Sequence, residues 1–180
     1  MTGEGNIYQA VVQYATSNTG QTVGRGECFD LADLALRGAG ALSAADYGEL
    51  TADADYEWGL AVMLHSALPG YVVQFRNYSC STVTQITERN AQGQITGEGE
   101  EIEEHFRPHH TAIIASTNAT GPVTVFEQNA NNVRSVQRNE LHFTSRTLPP
   151  QTVRRGGNSE TRRTTITVRG TIRIYQPQPR

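Results

Sequence analysis

The chain has 180 residues, of which 37% are hydrophobic and 18% charged, and a formal net charge of -3. This is the composition of a folded, rather polar globular protein, and the length predicts a single domain over residues 1–180. There is no overall positive field to attract nucleic acid, and no apolar run of about 20 residues to predict a membrane helix. All fifteen basic residues are arginine, which excludes a lysine base or Schiff base.

The amino terminus gives little information on localisation. The first residues, MTGEGNIYQAVVQYA, lack a basic region followed by an apolar stretch, so they do not predict a secretory signal. Cytoplasmic residence and export by a route without such a signal both stay open. The sequence also does not indicate an oligomeric state.

Helices are predicted in the first third of the chain. Apolar residues at helical spacing predict a short amphipathic helix over residues 6–15. The run from Cys28 has no strand-like alternation and predicts a buried helix that ends at Gly38 and Gly40. A third helix is predicted around residues 54–64.

Strands dominate after a turn at Pro69-Gly70. The predicted strands cover residues 71–75, 81–87, 111–117, 123–128, 133–137 and 164–175. Residues 92–104 are expected to form a polar loop or hairpin tip, and residues 150–163 are too polar for a core. Helices followed by strands predict an α+β fold, with amino-terminal helices packed on a mostly antiparallel sheet of about five to six strands.

Cys28 follows the glycine-rich turn Gly24-Arg25-Gly26-Glu27 and opens the second helix. A helix start favours the thiolate, the reactive form of cysteine, and the glycines allow the backbone to approach a substrate closely. The alternative is a small buried cysteine without a chemical role. Cys80 lies in a polar stretch, and the sequence does not decide whether the two cysteines pair.

His110 follows Pro108-His109 at the predicted start of an apolar strand. A histidine held on a rigid strand can face a helix-borne thiol, and its imidazolium then stabilises the thiolate. A metal site or a solvated strand end is the alternative. Zinc is disfavoured because the chain has neither a close cysteine pair nor HExxH spacing. His105 and His109 are expected to be exposed.

A third polar feature ends the strand Val125-Phe126-Glu127-Gln128-Asn129. A hairpin turn at residues 118–122 would place this strand antiparallel to the one that carries His110. Either Glu127 or Asn129 could then hydrogen-bond the far nitrogen of the imidazole and fix its tautomer. Polar residues at a strand end are often simply solvated, which is the competing interpretation.

The order of these features resembles the cell-wall hydrolase branch of the papain-like clan. The chain is similar to CHAP domains (cysteine, histidine-dependent amidohydrolases/peptidases) and their NlpC-type relatives. The stretches that match are GRGECFDLADLAL, LPGYVVQF, HHTAII and VFEQN, within residues 24–129, with IRIYQP as a weaker match. The resemblance implies Cys28 as nucleophile, His110 as general base and Glu127 as the residue that orients it, with Asn129 lining the site.

The chain departs from the CHAP pattern at two positions. Glu27 stands where these domains commonly have glutamine directly before the nucleophile, and Tyr71 stands where aspartate is common. The oxyanion donor is therefore open, with the backbone N–H of Cys28 and the side chain of Gln21 as candidates. Glu27 is kept as a candidate binding residue. Trp58 is either a packed aromatic residue or a ligand platform.

The resemblance implies an amide hydrolase that acts on a peptide or on peptidoglycan through an acyl-enzyme, with no metal or organic cofactor. One alternative is a catalytically weak or inactive relative that binds peptide or glycan, which the presence of Glu27 suggests. A further alternative is a transferase or deamidase that uses the same three residues. Fold likeness alone does not choose among these functions.

Overall fold

The computed structural model describes residues 4–180, which fall into two units. The first unit contains the chain through Tyr78 together with residues 107–141 and 170–180. The second contains residues 79–106 and 142–169. The expectation of one domain over residues 1–180 stays a prediction.

The described residues form two α-helices and eight strands. The helices are α1 (Glu4–Ser17) and α2 (Cys28–Gly38), and short 3₁₀ helices cover Ala44–Asp46 and Leu64–Ser66. The strands are β1 (Leu60–Val62), β2 (Val72–Arg89), β3 (Ile95–Ser116), β4 (Val123–Glu127), β5 (Gln137–Leu141), β6 (Arg146–Thr147), β7 (Gln151–Arg155) and β8 (Asn158–Gln176). The first two predicted helices are therefore confirmed. The strand count exceeds the five to six expected from the sequence.

The core of the first unit forms where α1 and α2 pack against strands. Buried residues of α2 recur at helical spacing, so one face of the helix is apolar: Leu31, Ala32, Ala35 and Leu36. They join a cluster that includes Val11, Val72, Ile113 and Phe126. Complete burial of a leucine stabilises a fold by about 1.5–3 kcal/mol. The packing of the apolar face of α2 against this cluster therefore holds the helix, and the residue at its start, in place against the strands. Neither α1 nor α2, the helices of residues 4–180, is long and apolar enough to cross a membrane.

The sheet of the first unit has the order β1-β8-β2-β3-β4-β5. β1 runs antiparallel to β8, and β4 runs antiparallel to both β3 and β5. The register pairs Ala112 with Glu127, so the end of β4 lies beside the last third of β3, next to His110. The predicted hairpin at residues 118–122 is confirmed.

The second unit consists of strands. Residues 79–89 of β2, 95–106 of β3 and 158–169 of β8 belong to it, and both β6 and β7 run antiparallel to β8. All residues of β7 are exposed. The prediction that residues 150–163 are too polar for a core is therefore confirmed.

The predicted third helix at residues 54–64 is wrong. The segment is irregular and ends in β1. Trp58 is completely buried, and Gly59 adopts φ +151 with its backbone packed so closely on β8 that an added Cβ would lie 2.1 Å from the carbonyl oxygen of Gln176. Tertiary packing of an extended segment therefore overrides the helical spacing of its residues.

Three strand predictions differ from the structure. Residues 71–75 and 81–87 are parts of one long strand, β2. The predicted loop at 92–104 is mostly strand, because β3 begins at Ile95 and only residues 90–94 form the turn. The strand predicted at 133–137 begins instead at Gln137. The first half of β3 and most of β5 are exposed or only partly buried, and they lack the apolar alternation that strand prediction depends on.

Candidate active site

A cavity of about 550 Å³ opens in the first unit at the start of α2. It is bounded by the loop before α2, by a loop at residues 50–56, and by residues of β2, β3 and the end of β4. The side chains that line it include Cys28, Tyr56, Gln74, His109, His110 and Asn129. A thiol, two imidazoles, a phenol and two amides therefore line the same cavity beside the start of α2.

Cys28 is the first residue of α2 and is partly buried. Burial by itself raises the pKa of its thiol, because a low-dielectric environment disfavours the charged form. A hydrogen bond with His110, the charge of His110 and the backbone N–H groups of Thr111 and Phe29 act in the opposite direction and outweigh burial. The pKa of Cys28 consequently lies below its ordinary value of 9.0, which favours the thiolate.

His110 lies inside β3, well after the strand begins at Ile95 and not at a strand start as predicted, and is only 4% exposed. Its Nε2 lies 2.9 Å from Oε2 of Glu127, which leaves Nδ1 for the hydrogen bond with Cys28. Burial lowers the pKa of His110, but the hydrogen bonds and charges of Cys28 and Glu127 outweigh burial and raise the pKa above 6.5. The structure thus links Cys28, His110 and Glu127 in a continuous chain of contacts.

Glu127 is completely buried, and both its carboxylate oxygens are hydrogen-bonded. Arg107 donates from Nη2 to Oε1 at 2.5 Å and from Nε to Oε2 at 2.8 Å, and Asn139 Nδ2 donates to Oε1 at 2.8 Å. Burial raises the pKa of this carboxyl, but Arg107 and His110 lower it much further, so its pKa lies far below the usual range. Glu127 is therefore a carboxylate at neutral pH.

Sequence reasoning missed Arg107 and Asn139. In the β4–β5 register Asn139 pairs with Val125, two positions from Glu127, so the two side chains share a face, and a correct prediction of β5 would have revealed this. Arg107 precedes His110 by an odd number of residues. Regular strand alternation would place these two side chains on opposite faces, so no pattern in the sequence points to Arg107.

Gln128 joins the end of β4 to the loop before Cys28. Its Oε1 accepts from the N–H of Val23 at 2.8 Å, and its Nε2 donates to the carbonyls of Val23 and Glu27, both at 2.9 Å. The side chain is completely buried. It supplies the acceptor for the Val23 N–H and adds a second donor to two carbonyls that already accept from a backbone N–H of the turn. The residue after Glu127 therefore positions the residues before Cys28.

Gly24 is required by the turn itself. It adopts φ +57, and an added Cβ would lie 2.9 Å from the side chain of Asp30. The Asp30 carboxylate accepts from the backbone N–H of Arg25 at 2.7 Å and from its guanidinium at 2.8 Å, which ties the turn to α2. Gly24 thus allows close packing of the turn on Asp30, a different role from the substrate approach inferred from the sequence.

Glu27 and Asn129 both line the cavity and contact each other. Asn129 Nδ2 donates to Glu27 Oε2 at 2.7 Å, and Arg134 lies 3.3 Å from Glu27 Oε1. An ionised carboxylate only accepts hydrogen bonds. Glu27 therefore does not supply the donor that a glutamine before the nucleophile would offer.

Two other residues singled out from the sequence lie outside the cavity. Gln21 is exposed, and its backbone N–H and carbonyl bond to Asn18 and Val136. Trp58 is 0% exposed and donates from Nε1 to Oε1 of Gln74 at 3.1 Å. Trp58 is thus a packed aromatic residue, and its role as a ligand platform is wrong because no surface of the ring is accessible.

The two histidines expected to be exposed are both partly buried. His109 lines the cavity, with its Nε2 2.7 Å from the carbonyl of Ala54 and its ring centroid 5.5 Å from that of Tyr56. His105, in the second unit, lies 3.1 Å from Glu103. The exposure predicted for both is wrong, because polar strand residues still pack against neighbouring chain.

Across residues 4–180 both cysteines are free thiols, and Cys80 is buried. The same residues contain no group of three or more His, Cys, Asp or Glu side chains arranged to hold a metal ion. The chemistry that this site can perform with its own groups is that of a thiolate paired with an imidazolium.

Comparison with known proteins gives one family. A family model described as the AIM3/BBC1 cysteine proteinase-fold domain matches residues 2–145. No significant match was found among curated proteins or solved structures. The papain-like assignment made from the sequence is confirmed at the level of a cysteine proteinase fold. Because the match spans most of the sequence, the chain belongs to the AIM3/BBC1 cysteine proteinase-fold domain family.

Proposed function

We propose that this domain is a cysteine-dependent amide hydrolase in which Cys28 is the nucleophile, His110 the general base and acid, and Glu127 the residue that orients His110. One observation carries the proposal: Cys28 and His110 line one cavity, Nε2 of His110 lies 2.9 Å from Glu127, and the interaction of Cys28 with His110 lowers the pKa of the thiol and raises that of the imidazole. A nucleophile bonded to a base that is itself held by a third group is the arrangement that nucleophilic catalysis needs.

The reaction follows from these positions. The Cys28 thiolate attacks the carbonyl carbon of an amide, and the π electron pair moves to the carbonyl oxygen. When the tetrahedral intermediate collapses, the C–N bond breaks and His110 gives its Nδ1 proton to the leaving amine. His110 then removes a proton from water, which attacks the thioester and releases the acid and the thiol.

Glu127 acts through His110 in this scheme and does not touch the substrate. Its four hydrogen bonds keep it ionised and fixed, so it holds the imidazole ring in place and stabilises the imidazolium. Asn129 and Glu27 line the wall of the cavity beside the thiol. They are the proposed contacts for substrate on that side. A peptide is the proposed substrate; peptidoglycan stays a prediction from the CHAP resemblance.

Alkylation with iodoacetamide over a range of pH tests the paired thiolate without a known substrate. We expect Cys28 to be labelled rapidly well below the free-thiol pKa of about 8.5, and the labelling to require higher pH in His110→Ala. Cys80, which is buried, is an internal control in the same molecule and should label slowly in the native protein. Mass spectrometry of peptides assigns each label to its cysteine.

Screening of peptide amides then separates the possible reactions. A hydrolase releases new peptide ends, whereas a deamidase or transferase changes the product mass without cleavage. Loss of product formation in Cys28→Ala is expected for each of these enzymes. Binding of peptide or glycan that persists in Cys28→Ala, with no turnover by the parent protein, would replace the proposal by a binding function.

A further inference from the structure

We propose that the side-chain amide of Gln74 donates a hydrogen bond to the oxygen that becomes negatively charged when Cys28 attacks an acyl group. Gln74 belongs to β2 and lines the same cavity as Cys28 and His110. The inference rests on the proposed function, because it supplies the side-chain oxyanion donor that this reaction needs and that Glu27 does not provide.

The orientation of the Gln74 amide is fixed by its neighbours. Its Oε1 accepts from Nε1 of Trp58 at 3.1 Å and from Oγ1 of Thr111 at 2.8 Å. An indole N–H only donates, so the atom that faces Trp58 must be the amide oxygen, not the nitrogen. The NH₂ group is therefore directed away from both partners.

This NH₂ group is buried and unsatisfied. Gln74 is 2% exposed, and its Nε2 has no hydrogen-bond partner anywhere in the described chain. A buried donor left unpaired costs about 1–3 kcal/mol, and buried polar groups are otherwise nearly always paired. An unpaired donor that lines the same cavity as a nucleophile is explained if an oxygen of a bound ligand accepts its hydrogen bond.

Thr111 connects Gln74 to the nucleophile. Its hydroxyl donates to the Gln74 oxygen at 2.8 Å, and Thr111 lines the same cavity as Cys28. The backbone N–H of Thr111 also helps to lower the pKa of the Cys28 thiol. The backbone N–H of Cys28, in the first turn of α2, is the second donor because helix-start amides have no partner within the helix.

Two reagents that attack the same thiolate test the role of Gln74. Acylation by p-nitrophenyl acetate passes through an oxyanion, whereas alkylation by iodoacetamide displaces iodide from a saturated carbon and forms none. The ratio of the two rates on one protein cancels any change in the amount of thiolate. Acylation is read as released nitrophenolate and as the mass gain of one acetyl group on Cys28.

Gln74→Met removes both donor hydrogens at similar side-chain size. We expect its acylation-to-alkylation ratio to fall roughly 100-fold, with the pH profile of alkylation unchanged. Gln74→Glu is the second variant, for use if Gln74→Met does not fold. At alkaline pH its carboxylate still accepts from Trp58 and Thr111 but donates no hydrogen bond, so we expect the same selective loss of acylation. Gln92→Met, in the exposed turn between β2 and β3, should keep the parent ratio.

The possible failures are distinguishable. A parent-like ratio in the folded Gln74 variants overturns the inference and leaves the proposed function intact. An equal fall in both rates also overturns it, because Gln74 would then position the thiol and not bind the oxyanion. If the acylation-to-alkylation ratio falls in Gln21→Met and not in the Gln74 variants, the inference is overturned and Gln21 is the oxyanion donor. If the parent protein is alkylated only near pH 8.5 or above, the proposed function fails first.

Discussion

Arg107 and Glu127 form a two-point ion pair in the interior of the first unit, with Arg107 Nε 2.8 Å from the same carboxylate oxygen that binds His110. Arg107 is 2% exposed and Glu127 0%. Both charges are buried, so each is stabilised mainly by the other. Asn139 also donates to Glu127, and Arg107 Nη1 lies 3.5 Å from Oδ1 of Asn131. The same buried ion pair therefore positions His110 in the candidate site and contributes to the stability of the folded protein.

Glu127→Gln should destabilise the protein by about 3–5 kcal/mol, because it removes the carboxylate that forms the two-point ion pair with the buried Arg107 guanidinium. Urea unfolding followed by circular dichroism measures this change. Glu140→Gln, an exposed position on β5, is the matched control and should change stability little. Equal stabilities of the two variants would contradict the importance of the ion pair.

The stability of the protein should also fall in acid because of Glu127. Its folded-state pKa is far below the ordinary glutamate pKa of 4.5, so its contribution to stability is fully present above about that pH and is lost as the pH falls toward the folded-state pKa. Urea unfolding from pH of about 6 to about 2 should show a steep decline in the parent and a shallower one in Glu127→Gln. Parallel declines in the two proteins would show that other carboxyl groups are responsible.

Gln128→Leu should loosen the loop before Cys28. The substitution removes the acceptor of the Val23 N–H and one of the two donors to each of the carbonyls of Val23 and Glu27. The Val23 N–H, if it stays buried and unpaired, costs roughly 1–3 kcal/mol. We expect lower stability together with slower alkylation of Cys28. Gln151→Leu, on the exposed strand β7, is the control. Unchanged alkylation in a destabilised Gln128→Leu protein would show that the loop does not position the thiol.

Two glycine substitutions should act in opposite directions. Gly24→Ala forces an alanine to φ +57 and places its Cβ 2.9 Å from Asp30, which should destabilise by about 1–3 kcal/mol. Gly38→Ala lies at the end of α2, where an added Cβ has no described neighbour within 4 Å apart from the adjoining residues and backbone of its own helix, and it should stabilise by up to about 1 kcal/mol. Thermal unfolding of both variants tests this contrast, and destabilisation by Gly38→Ala would contradict it.

The sequence alone was sufficient for the features that depend on local pattern. The spacing of apolar residues in α2, the hairpin between β3 and β4, and the polar groups at Cys28, His110 and Glu127 all follow from residues close together in the chain. Helical and strand periodicity and turn chemistry act over a few residues, so a single sequence contains them.

Only the tertiary structure decided which side chains complete the candidate site. Arg107 and Asn139 reach Glu127 because of the local path of β3 and the register of β5, and neither follows from the spacing of residues. Trp58 lies in an irregular segment whose burial fixes Gln74 and leaves its amide nitrogen unpaired within residues 4–180. These contacts join residues far apart in sequence, and their geometry is set by packing of the whole core and not by the local preferences of the chain.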